Sequence, residues 1–146
     1  MTSSFPEIPF NPVGRGFRGW PMPSSVPAGM RLELSRAMLL TGQEARFEEW
    51  MEMLNARYDE CVATLSQERM AFEATFVNQE ADGSWWMYHV QLGSTQSPGL
   101  VTDNDLDRDH EAFARATKHA GWEELQPKFM LCPEPVREAL IDAARD

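Results

Sequence analysis

His89 stands in the stretch GSWWMYHVQL, residues 83–92, directly after Tyr88 and close behind a Trp-Trp pair. An imidazole titrates near neutral pH. In so apolar a segment it is a catalytic group, a ligand, or a core residue whose polar atoms are satisfied. Glu73 lies in the segment before it. A carboxylate beside an imidazole fixes its tautomer and raises its pKa, and such a pair could move a proton on or off an enolisable or phenolic substrate. Tyr58 or Tyr88 could add a hydrogen-bond donor, although helical spacing sets Tyr58 in a core stripe. His110, in DRDHEAF, falls in the first turns of an acidic helix. There it either joins the same site or is a surface histidine among aspartates. The bland alternative for His89 and Glu73 is that they pair only with each other or face water.

Other chemistries lack their signals. A metal would need His89, His110, Glu73 and Glu33 to converge, and no short ligand spacing supports this. DNDLDRDHE suggests a calcium loop, but its sixth position is Arg108 rather than glycine and its twelfth is Ala114 rather than glutamate. There is no GxSxG elbow, no Cys-His arrangement and no glycine-rich loop after a strand. No bound cofactor or metal is therefore expected. Cys61 and Cys132 match no zinc or redox spacing and read as buried thiols in a reducing compartment.

The elements that must position these groups follow from periodicity. MRLELSRAML alternates from Met30 and predicts a strand. TGQE then offers a capping box, with Thr41 as cap and Glu44 three residues on. The helix that follows should run to about Ser66, burying Phe47, Trp50, Met51, Leu54, Tyr58, Cys61, Val62 and Leu65 as one stripe. MAFEATFVNQ (70–79) and the His89 stretch alternate on either side of EADGS, a hairpin turn built on Asp82-Gly83. After a loop with a Pro98-Gly99 turn, DLDRDHEAFARATKHAG predicts a second helix ending near Gly121. KFMLC (128–132) predicts a short strand, and PEPVREALIDAARD a terminal helix with Pro135 in its first turn. The order is β-α-β-β-α-β plus a helix, the split βαβ or ferredoxin-like arrangement, of α+β class with an antiparallel sheet.

In that arrangement two helices cover one sheet face. Leu32, Leu34, Phe72, Phe76, Trp86, Tyr88 and Val90 form the more uniformly apolar set and are expected beneath them. Glu33, Ser35, Glu73, Thr75, Val77, Trp85, Met87, His89 and Gln91 form the opposite, mixed set. A face of aromatics and ionisable groups suits a ligand cavity better than a dry core. Trp85, Met87, Ser35 and Glu33 are thus candidate substrate-binding residues beside His89 and Glu73.

Residues 1–29 hold six of the ten prolines and four of the nine glycines, which argues against regular structure. Phe5, Ile8, Phe10, Phe17 and Trp20 are too apolar for a solvated tail, so an arm packed on its own domain or on a partner subunit is expected, with a disordered leader as the alternative. The compact domain should span 30–146. The net charge of −10 disfavours nucleic acid and anionic membranes. No apolar run reaches the length that crosses a bilayer, and the N-terminus lacks a signal-peptide core, so a cytoplasmic location is expected.

The helix TGQEARFEEWMEMLNARYDECVATLSQE, the strand FEATF and the segment LDRDHEAF resemble an uncharacterised family of small bacterial domains. That family belongs to the dimeric α+β-barrel superfamily, which includes the antibiotic-biosynthesis monooxygenases. The resemblance covers residues 31–132 and implies a ferredoxin-like protomer, a homodimeric α+β barrel and a cavity over the open sheet face. It marks Arg57, Glu73 and His110 as recurring polar residues, and not His89. The aromatic arm, and the turn-rich loop 93–104 where a helix would be expected, depart from the pattern.

The residues and the resemblance together suggest a cofactor-independent enzyme acting on a small hydrophobic, cyclic or polyketide-like molecule. Its chemistry would be cyclisation, isomerisation, dehydration or cofactor-free oxygenation. The alternatives are a non-catalytic carrier of an aromatic ligand or haem, anchored by His89 or His110, and a structural protein joined through the arm.

Overall fold

The computed structural model of the chain describes residues 5–99 and 104–145. Eight elements follow one another: β1 (Met30–Met38), α1 (Glu44–Ala56), α2 (Tyr58–Glu68), β2 (Met70–Gln79), β3 (Trp85–Ser94), α3 (Asp105–Thr117), β4 (Glu123–Leu125) and α4 (Glu134–Ala143). The four strands form one open antiparallel sheet in the order β2-β3-β1-β4. The architecture is mixed α+β. Among the described residues no helix is long and apolar enough to cross a membrane.

The hairpin forms where alternation places it, and Gly83 supplies the left-handed dihedral, φ 88°, that its turn requires. Three other expectations need correction. The single long helix is two. Arg57 (φ −108°, ψ 35°) separates α1 from α2, and beyond it Tyr58 is 65% and Val62 46% exposed. No glycine or proline marks this break. The Arg57 side chain is instead drawn to Asp109 on α3. The capping box does not form either: Gly42 turns the chain with φ 80°, and Gln43 caps α1 by its backbone alone. Finally, KFMLC is not a strand. The residues beside β1 are Glu123–Leu125. Within 128–132 Met130 turns inward and donates its N–H to Ser25, while Phe129 and Leu131 stand 69% and 81% exposed. The alternation is real but belongs to a segment outside the sheet.

The faces are also exchanged. Register sets Met87 opposite Ala37 and Val77, His89 opposite Ser35 and Thr75, and Gln91 opposite Glu33 and Glu73. It is this mixed set that the helices cover. Phe47 and Trp50 of α1 close a core with Ala37, Leu39 and Met87, and Val77, Trp85 and Phe113 pack against it. The reason is a gradient along the strands. Ala37, Val77, Trp85 and Met87 give the mixed face one apolar end, enough to seat two helices. Its polar end carries Glu33, Ser35, Glu73, Thr75, His89 and Gln91.

The uniformly apolar set lies on the other side. Its ends are covered by non-helical chain and by α4: Met22, Val26 and Leu140 pack with Leu92 and Leu32, and Phe10 of the arm meets Trp86 edge-on at 5.5 Å. Between them Phe72 stays 40% and Phe76 60% exposed. The arm packs on its own chain, with Ile8, Asn11, Val13 and Trp20 all hydrogen-bonded to the domain.

Candidate functional site

The polar end of the helix-covered face brings together residues from five elements. On the sheet, His89 Nε2 lies 3.6 Å from Glu73 Oε2, and His89 Nδ1 lies 3.0 Å from Thr75 Oγ1. Both imidazole nitrogens are thus engaged by neighbours from β2. Glu73 is the more open partner, its side chain 38% exposed against 25% for His89. His89 holds the Glu73 carboxyl below the usual carboxylate range against the opposing effect of burial, and His110 adds to the lowering.

Facing the sheet, α3 presents His110 and α1 presents Trp50. The Trp50 indole N–H donates to His110 Nδ1 at 2.8 Å. Burial pushes the His110 imidazole below its ordinary value, while the carboxylates of Glu73 and Asp107 pull it the other way. Asp107 is 3% exposed and is held by Asn104, which caps α3 and bonds both the Asp107 N–H and its carboxylate. Glu68, at the end of α2, is 7% exposed. Burial pushes its carboxyl up to about 7, with the charges of Glu73 and Asp107 adding to the rise. Cys61 on α2 donates to Leu54 O, and burial raises its thiol pKa, with Glu73 adding to the shift.

Beyond His89 the Trp122 ring lies 6.2 Å away, centroid to centroid, and the Lys118 ammonium sits 4.5 Å over the same indole. That ammonium also donates to the carbonyls of His119 and Gly121. Burial lowers its pKa to about 8. On the side of Gln91, a cleft of about 240 Å³ is lined by Arg31, Glu33, Gln91 and Gly93, with Ser94 at the end of β3 and Ser97 of the following loop. In it Glu33 accepts from Arg31 Nε and Gln91 Nε2.

Of the residues singled out in the sequence, Glu73, His89 and His110 gather at this site, and Glu33 and Ser35 share its sheet face. Arg57 adjoins it, bonding Asp109 beside His110 at 2.7 Å. Met87 does not line an opening: it is 2% exposed and fills the core. Trp85 borders a separate apolar hollow of about 210 Å³ with Phe47 and Val77. Tyr58 points to solvent. Thr75, Trp50, Glu68 and Asp107 join the site without being candidates in the sequence. Thr75 carries a usable signal, since it lies two residues from Glu73 and therefore on the same strand face. Trp50 reads only as core. Among the described residues no three His, Cys, Asp or Glu side chains converge as a metal-ligand set.

A family model matches residues 30–138, from the first residue of β1 into α4. The chain belongs to a family of unknown function, DUF6176. No curated protein and no solved structure matches it. The matched span includes every residue of the cluster and leaves the arm outside.

Proposed function

We propose that the chain is a cofactor-independent enzyme that moves a proton on a small hydrophobic molecule. Glu73 acts as the base, and His89 holds and polarises it. The observation that carries this is the Glu73–His89–Thr75 chain of contacts at the foot of the helix layer. Because both His89 nitrogens are engaged, the carboxylate is the group left open to a ligand. Its depressed pKa keeps it ionised at neutral pH. The partly open Trp122 indole beside His89 supports an apolar, ring-containing substrate. Cyclisation, isomerisation and dehydration all need such a proton transfer, and cofactor-free oxygenation would begin with one.

The strand order with its two helical crossovers supports a ferredoxin-like protomer. The exposed Phe72 and Phe76, with Leu125 at 40% exposure on the same face, support a homodimer closed through the apolar side of the sheet. Turnover of small cyclic ketones and phenols by the purified protein tests the activity. It is expected to disappear in Glu73→Gln and to fall by about 100-fold in His89→Ala. Turnover unchanged in both variants excludes this site.

A further inference from the structure

We propose that His110 presents a neutral Nε2–H as the donor to a developing oxyanion, held in that tautomer by Trp50, and that the substrate of Glu73 is a carbonyl compound with an acidic neighbouring C–H. The substrate class rests on the proton-transfer reading given above; the tautomer does not.

The tautomer follows from what each group can do. An indole nitrogen only donates. Its bond to His110 Nδ1 at 2.8 Å therefore requires a lone pair on Nδ1, and the proton of the neutral ring sits on Nε2. An imidazolium would set N–H against N–H. Trp50 cannot swing aside to allow this. It is 1% exposed, packs edge-on against Phe47 at 5.9 Å, and lies in the core with Ala37 and Met87.

Charged groups face His110 from several elements, and their effects divide. Glu73 on β2 and Asp107 on α3 favour the cation, whereas His89 on β3 and burial disfavour it. Glu68 and Cys61 of α2 share the electrostatic environment of Glu73 and Asp107. The indole contact resolves this balance toward the neutral ring.

Nε2 is then a donor without a use inside the fold. Among the described residues it has no hydrogen-bond partner, yet none of their buried side-chain nitrogens or oxygens is left unpaired. Nε2 therefore opens to accessible space, on an imidazole that lies within electrostatic reach of Glu73.

A carboxylate base and a neutral imidazole donor are the two parts that enolisation needs. Glu73 takes the proton from the carbon beside the carbonyl. The C–H pair becomes the new C=C bond, and the carbonyl π pair moves onto oxygen, which accepts the Nε2–H bond. His110 keeps its proton. Once the proton on Glu73 has been replaced by one from solvent, its delivery to the same carbon gives exchange, and delivery of a proton from Glu73 to another carbon of a conjugated system gives isomerisation. No oxidant or reductant enters.

Nitrogen-15 spectra of the histidine side chains in the full chain, recorded from about pH 6 to about pH 8, test the tautomer. His110 is expected to show a protonated, pyrrole-type Nε2 and a bare, pyridine-type Nδ1 throughout. A protonated Nδ1 in that range overturns the proposal. Trp50→Phe keeps a ring but removes the donor, and there both tautomers are expected. A single unchanged tautomer in that variant removes Trp50 from its role, and if the variant does not fold the wild-type spectra alone decide.

Cyclohexanone in D2O supplies the second arm, with α-proton exchange followed by NMR. Exchange faster than background is expected for the wild type, none for Glu73→Gln, and a loss of about 100-fold in kcat with little change in KM for His110→Ala. Wild-type exchange by His110→Ala beside a silent Glu73→Gln overturns the role of His110 and leaves the base standing. A wild type no faster than Glu73→Gln removes the base and the substrate class together, and the spectra still decide the tautomer.

Discussion

Arg57 bonds Asp109 across the gap between α1 and α3 at 2.7 Å, while the same guanidinium holds Glu60 in the first turn of α2 at 2.7 Å. The residue at which the helix breaks is thus the one that ties both following helices together. Arg57 is 26% exposed and each carboxylate 56%, so solvent screens the pairs and they add little to global stability. Asp109→Asn is expected to leave the midpoint of urea denaturation nearly unchanged. A larger local effect is expected at Cys61, one turn into α2. In a Cys132→Ser background its labelling by a thiol reagent should accelerate several-fold when Asp109 is neutralised. Labelling that keeps its wild-type rate would show that α2 is held by other contacts.

Glu68 and Glu73 carry opposite pH dependences. The folded pKa of Glu73 is depressed, so its contribution to stability is present at neutral pH and lost as pH falls through the folded value. That of Glu68 is raised to about 7. The native state therefore holds its proton more tightly, and stability declines as pH rises from the ordinary carboxylate range to about 7. Glu68→Gln removes that decline. It is expected to gain on the order of 2 kcal/mol over the wild type at about pH 8, and nothing near pH 4, where both side chains are neutral. Equal stabilities at the two pH values would mean that the Glu68 carboxyl is better solvated than its 7% exposure implies.

Met87 and Phe76 separate the two sides of the sheet. Met87→Ala is expected to cost about 2–5 kcal/mol, because the side chain is enclosed by Phe47, Trp50 and Ala37. Phe76→Ala, on the open side, should change protomer stability by only about 0.5 kcal/mol. Phe76→Glu is expected to abolish the proposed association through this face, read as a lower sedimentation coefficient without unfolding. A sedimentation coefficient identical to wild type counts against association through this face.

The limits of the sequence are visible in the same residues. Alternation in 70–94 gives the hairpin, its turn and which side chains share a face, and so it brings Glu73, Thr75 and His89 together. It does not say which face the helices choose. Trp86 has no exposed surface, yet part of its cover is Phe10 of an irregular arm, and no periodicity reports that contact. Counting polar residues across the mixed face also hides the apolar end that seats α1 and α3. The side chain at the break, Arg57, finds its partner 52 residues along the chain. The link from Trp50 to His110 spans 60 residues. Local patterns carry no trace of either, because each depends on how the helices finally lie on the sheet.

The three-residue strand β4 forms one border of the sheet, and the arm occupies it. Val13 donates its N–H to the Trp122 carbonyl and the Trp20 indole donates to that of Glu124, while Asn11 bonds the Glu123 side chain. A strand border with free carbonyls is a template on which foreign chains add, the first step toward fibrils. Here a proline-rich segment, poorly suited to extending the ladder itself, covers that border and takes up the Glu124 carbonyl. Removing the arm would uncover a strand edge of the kind to which an extended peptide can add.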